Sequence, residues 1–179
     1  MKGEVRAYSK FGTGTTFVVC IPTTSVPLPL AQRIHPESMI NYLKQRHLRV
    51  LMADDSPFNV ILICDYLSKF KASIASVAYN GHDAWSKYLE FAMNNQLDIV
   101  TLDIDMPIMD GRTVCDKIRE YEKEKKLKPV VIILISGNYD KDQVDEYLNP
   151  EKGHRADYFL RKPVSFLDFT RTTYDLITQ

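Results

Sequence analysis

The chain has only three cysteines among its 179 residues. Cys20, Cys64 and Cys115 are far apart and odd in number, which excludes a disulfide framework, and their spacing fits no metal site. Such usage suits a reducing compartment. Net charge is also missing: Lys+Arg and Asp+Glu both number 23. Nothing global attracts nucleic acid or an anionic membrane, so neither is expected as a partner. No apolar run approaches the ~20 residues of a bilayer-spanning helix. Glu4, Arg6 and Lys10 interrupt the amino-terminal segment where a signal peptide would be apolar. A cytoplasmic setting is therefore expected. What remains is ordinary for a globular protein, 45% apolar and 26% charged, with length for one domain and an appendage.

The informative stretch runs from Ile99 to Gly111. Ile99-Val100-Thr101-Leu102 is mostly apolar and rich in β-branched residues, which predicts a buried strand. It stops at Asp103, and Pro107 and Gly111 then break regular structure before a helical pattern begins near Arg112. A lone acid in such a place is most simply a turn residue. Asp103 is not alone. Asp54 and Asp55 end an earlier apolar run, Ser136 ends a later one, and Lys162-Pro163 ends the last. In open α/β sheets the carboxyl ends of the strands are where ligands bind.

The rest of the chain fits that reading. Residues 3–9 and 15–21 alternate around Gly12 and Gly14 and predict a β-hairpin. Residues 23–31 carry Pro27 and Pro29 and predict extended linker. A short helical pattern opens at Pro36, with Met39, Ile40 and Leu43 on one face. From Arg49 a strand–helix unit repeats five times. Strands are expected at 50–53, 72–79, 98–102, 130–135 and 157–160. Helices are expected from Ser56-Pro57, 82–95, 112–125, 140–148 and 165–177. Val60, Leu62, Ile63, Leu67 and Phe70 are expected to bury the first of these helices, and Ser56 to cap it. The mixed charges of 119–126 read as a solvated helix end. Alternating strands and helices imply a parallel sheet covered on both faces.

Acid pair, acid, hydroxyl and lysine, each at a strand end and in that order, resemble the receiver domain of two-component response regulators. Asp103-Ile104-Asp105-Met106-Pro107-Ile108-Met109-Asp110-Gly111 is similar to that family's phosphoacceptor loop. The resemblance covers residues 49–179 and implies a flavodoxin-like, doubly wound sheet of order 2-1-3-4-5. It implies that Asp103 accepts a phosphoryl group from a partner's phosphohistidine, with Mg²⁺ or Mn²⁺ held by Asp54, Asp55, Asp103 and the backbone carbonyl of Asp105. Ser136 and Lys162 would then contact the phosphoryl oxygens, and Ser136 and Phe159 would act as switch residues. Phe159, lacking a hydroxyl, cannot exchange a hydrogen bond in that role.

Residues 1–22 resemble the last two strands of a histidine-kinase ATP-binding domain, through Gly12-Thr13-Gly14-Thr15-Thr16-Phe17. The remainder of an ATP site is lacking, so no ATP binding is expected. Together the resemblances suggest the carboxyl end of a hybrid sensor histidine kinase, with residues 23–48 as linker and no DNA-binding segment after Gln179. His35, His47, His82 and His154 do not stand in a phosphotransfer setting, so the donor is expected elsewhere. Asn59, four residues after Asp55, is also common in receivers of such hybrids. A weak homodimer is compatible with this reading. The alternative is a receiver-like module that docks on partners without being phosphorylated. A flavin protein is disfavoured because no phosphate-cradling loop follows the first strand.

Overall fold

The computed structural model describes residues 3–22, 35–94, 96–137, 141–149 and 156–178, with no side chains given for 141–143 or 146. The expected linker at 23–31 and the expected helix start at Asp140 lie outside the described residues. Contacts divide the chain into two compact units, Met1–Ile34 and His35–Gln179.

The first unit is a hairpin of β1 (Glu4–Lys10) and β2 (Gly14–Cys20), paired antiparallel with Val5 opposite Val19 and Ala7 opposite Phe17. Gly12 and Gly14 take positive φ, +75° and +123°, which is why the turn uses glycine. Val5, Ala7, Phe17 and Val19 share one face, and the whole hairpin is solvent-exposed.

The second unit begins with α1 (Pro36–Lys44), followed by β3 (Arg49–Ala53), α2 (Pro57–Lys69), β4 (Ser73–Ala78), α3 (Gly81–Ala92) and β5 (Ile99–Asp103). It continues through α4 (Gly111–Lys125), β6 (Val131–Ser136), α5 (Lys141–Leu148), β7 (Tyr158–Arg161) and α6 (Phe166–Thr178). The five strands are parallel, in the order β4-β3-β5-β6-β7, the doubly wound order expected.

Strand residues alternate between two cores. Leu51, Ala53, Val100, Leu102, Ile132 and Leu134 pack with α3, α4 and α5. Val50, Met52, Ile99, Ile133 and Ile135 pack with α1, α2 and α6. Both faces are covered, so β3, β5 and β6 are largely apolar.

Three local expectations are corrected. Leu62 is exposed, because α2 buries Val60, Ile63, Tyr66 and Leu67 instead. Ser56 stands at the N-cap of α2 without a capping side-chain bond; its backbone N–H donates to Asp54 instead. The charged end of α4 is not simply solvated. Glu122 is 3% exposed and accepts from the Val130 N–H, Tyr88 Oη and Arg119 Nη1. Arg119 also reaches Asp157 across the amino edge of the sheet. Desolvation beside Glu122 pushes the Tyr88 phenol well above its ordinary pKa.

Candidate functional site: an acidic pocket at the carboxyl edge of the sheet

The topology brings β3 and β5 side by side, so the residues that end them become neighbours. Asp103 is the last residue of β5 and Asp54 follows β3; both are buried, while Asp55 is exposed. One carboxylate oxygen from each of the three lies within 4.8 Å of the others.

Lys162 follows β7, and its backbone N–H donates to the Ser136 carbonyl over 2.8 Å. Its Nζ sits 2.8 Å from Asp103 Oδ2 and 2.8 Å from Asp54 Oδ2. Asp54 Oδ1 also accepts from the Ser56 N–H and from Asn59 Nδ2, at 2.9 and 3.0 Å. Asp54 is thus held on both oxygens, and Asn59 supports it. Ser136 ends β6, and its hydroxyl donates to Asp105 Oδ2 at 3.1 Å. Phe159 lies in β7, paired with Leu134, within the core beneath α3, α4 and α5.

Burial pushes the Asp103 carboxyl above its ordinary pKa. The Lys162 ammonium works against that rise without cancelling it, and the Asp54 charge adds to it. For Lys162, burial opposes the charge, but Asp103 and Asp54 prevail and raise its pKa. Among the described residues, Asp103 Oδ1 is buried and has no hydrogen-bond partner. A buried, unsatisfied carboxylate oxygen costs about 1–3 kcal/mol or more unless something fills the role. Beside two further carboxylates, the group that fits is a hard divalent cation with oxygen ligands.

The loop after Asp103 is tightly wound. The Gly111 N–H donates to the Ile104 carbonyl at 3.0 Å. A Cβ on Gly111 would stand 2.2 Å from the Asp103 carbonyl oxygen and 2.9 Å from its carbon. Gly111→Ala must displace the strand end that carries Asp103. The expected loss is about 3 kcal/mol, at the high end for overpacking, read as a lower urea midpoint. Ile108, at φ +71°, occupies the left-handed region that a β-branched residue rarely adopts, and it is 80% exposed.

Asp54, Asp55, Asp103, Ser136 and Lys162 stand out in the sequence because each falls at a strand end, whereas Asn59 is indicated there only by the resemblance to receivers of hybrid kinases. Sequence reasoning missed the contact between Arg112 Nη1 and Tyr147 Oη, 2.5 Å apart, which joins α4 to α5. Two such side chains, 35 positions apart, carry no shared sequence signal.

Fold and site together define the class: a flavodoxin-like α/β domain with an acidic, lysine-capped pocket where its two central strands end. The chain belongs to the response regulator receiver domain family, whose family model matches residues 50–173. The sensor histidine kinase GacS of Pseudomonas protegens is 32% identical over 137 residues, which are 76% of this chain and 14% of that protein. The aerobic respiration control sensor protein ArcB of Escherichia coli is 30% identical over 165 residues, 92% of this chain and 19% of that one. The chain therefore spans less than a fifth of either relative. Among solved structures, the CheX-CheY-BeF3-Mg²⁺ complex from Borrelia burgdorferi matches with a TM-score of 0.64 and 30% identity. That match covers 74% of this chain and 90% of that one. No helix among the described residues is long and apolar enough to cross a membrane.

Proposed function

We propose that this chain is the phosphoacceptor receiver of a phosphorelay protein, with Asp103 as the acceptor. The observation that carries the reading is the Asp103 carboxylate: buried, destabilised by burial, held 2.8 Å from Lys162 and grouped with Asp54 and Asp55. An Asp103 oxygen attacks the phosphorus of a phosphohistidine. The P–O bond forms as the P–N bond breaks, and the imidazole leaves with the electron pair and takes up a proton. The Lys162 ammonium balances charge on the phosphoryl oxygens, and the Ser136 hydroxyl donates to one of them. Asp54, fixed by Ser56, Asn59 and Lys162, keeps the pocket acidic without moving. Asp55, Asp103 and the Asp105 carbonyl would hold Mg²⁺ or Mn²⁺ directly, and Asp54 through water. When bound, that ion supplies charge neutralisation for carboxylates and phosphoryl group alike.

The donor is a histidine-bearing partner. The pocket rim supports this, since Phe58 and Ile61 on α2 are 83% and 66% exposed, and Ile108 stands at the same edge of the sheet. Large exposed apolar side chains beside a reactive group suit a docking partner.

The relatives GacS and ArcB favour a sensor-kinase parent. The hairpin fits the end of its ATP-binding domain, because Val5, Phe17 and Val19 leave an apolar face uncovered, and a lone hairpin is marginally stable. Residues 1–22 are then the kinase remnant and 23–48 the connection, whose final helix α1 packs on α6 of the receiver that begins at 49.

Incubation with acetyl phosphate and Mg²⁺ tests the acceptor reading by intact mass. One phosphoryl adduct that requires the ion is the expected result. No adduct, together with no binding of beryllofluoride, would assign the chain to the docking-module alternative.

A further inference from the structure

Ser136 has a single hydroxyl hydrogen to donate. It now goes to Asp105 Oδ2. On the phosphoacceptor reading above, the same hydrogen is needed by the phosphoryl group on Asp103. Asp105 and the phosphoryl oxygens therefore compete for one donor. They also repel each other, because phosphorylation adds roughly −1.5 to −2 charge beside the Asp105 carboxylate.

A cation stands ready on the other side. Arg112, the second residue of α4, donates through Nη1 to Tyr147 Oη, and its Cζ lies 5.5 Å from the Tyr147 ring centroid. Burial works against the Arg112 charge, while Tyr147, Asp110 and Asp105 all favour it, so the guanidinium already feels the Asp105 carboxylate. Asp110 is the nearer acid in contact, at 3.8 Å from Arg112 Nη2. Tyr147 is buried within α5.

We propose that Asp105, Arg112 and Tyr147 form a relay that reports the state of Asp103 to α5. In the unmodified domain Asp105 holds the Ser136 hydroxyl, and Arg112 holds Tyr147. Phosphorylation draws Ser136 away and expels the Asp105 carboxylate, which pairs with Arg112. Arg112 then turns from Tyr147, the bond that ties α4 to α5 is lost, and α5 shifts. This route does not depend on Phe159, which has no hydroxyl to exchange and already packs in the core. Asp105 is a positioning residue here, acting through Ser136.

Beryllofluoride with Mg²⁺, titrated into the full chain and followed through backbone amide resonances, tests the relay. In the unaltered protein the amides of 144–148 move on binding. Asp105→Ala is expected to bind beryllofluoride about tenfold tighter, the size of one hydrogen bond to a charged group. A purely structural role would weaken binding. Most of that gain disappears in a Ser136→Ala background. Arg112→Met, free of ligand, already shows 144–148 near their loaded positions and moves little on binding. An unchanged affinity in Asp105→Ala, an equal gain without Ser136, or full α5 shifts in Arg112→Met would each overturn the relay and leave the phosphoacceptor reading standing. Failure of the unaltered protein to bind beryllofluoride would overturn both.

Discussion

Replacing Asp103 with asparagine is expected to abolish phosphoryl uptake completely and, in the metal-free protein, to raise thermal stability. The first effect follows from chemistry. An asparagine oxygen is a poor nucleophile, and the neighbouring acids cannot substitute. Asp54 has both oxygens engaged by Ser56, Asn59 and Lys162, and Asp55 is exposed at the pocket mouth. Intact mass after acetyl phosphate treatment should show no adduct.

The second effect follows from linkage. Burial raises the folded pKa of Asp103 above its unfolded value, even with Lys162 beside it. The folded state then binds protons more readily than the unfolded one. Stability falls as pH rises from the unfolded pKa through the folded pKa, and the deficit persists above it. Asparagine removes that deficit, with an expected gain on the order of 1 kcal/mol, or about 2–4 °C in melting temperature for a domain of this size. In chelator at neutral pH the variant should melt higher than the parent. Below the unfolded pKa the advantage should vanish. Added Mg²⁺ should stabilise the parent and leave the variant much less affected. A variant that melts lower than the parent in chelator would contradict the assignment of Asp103 as a site held at a cost to stability.

The other large effect lies at the opposite edge of the sheet. Arg119→Met is expected to destabilise the domain by about 3–5 kcal/mol, because it leaves a buried carboxylate without its counter-ion. Glu122 Oε2 receives Arg119 Nη1 over 2.7 Å, and the same nitrogen donates to the Val130 carbonyl at 2.8 Å. Arg119 Nη2 holds Asp157 Oδ2 at 2.8 Å, and that oxygen also accepts the Ile132 N–H. One guanidinium therefore joins α4, the start of β6 and the chain entering β7. A loss of this size is a large share of the stability of an ordinary domain. Denaturant titration would register it as a fall in midpoint. Glu122→Gln keeps an acceptor for the Val130 N–H and should cost much less. Since the network is remote from Asp103, either variant should still take up a phosphoryl group under conditions where it remains folded.

The contrast between these two sites shows what was legible in the sequence. Asp54, Asp103, Ser136 and Lys162 could be found because each ends a run of apolar residues, and a parallel sheet collects strand ends along one edge. The strands β3, β5 and β6 were plain for the same reason, being largely apolar on both faces. Arg119 and Glu122 stand in a run of charges that looks like any solvated helix end. Only the approach of Val130 and Asp157 turns one side of it inward, and that depends on tertiary packing. Leu62 errs in the other direction. It follows the helical period closely enough to be assigned inward, yet the sheet accepts only Val60, Ile63, Tyr66 and Leu67. Arg112 and Tyr147 belong to separate helices, so periodicity could not connect them.

Leu43 of α1 is fully buried in the same cluster as Phe70 and Phe169, and Tyr42 meets Tyr174 of α6 edge to face with ring centroids 5.2 Å apart. A side chain of that kind contributes about 1.5–3 kcal/mol when buried, so a receiver trimmed to begin at Arg49 would carry a hole in its core. Mechanically, α1 is a handle. The chain ahead of it is thereby tied both to α6, by packing, and to β3, by sequence, on the face of the sheet opposite α3 and α4.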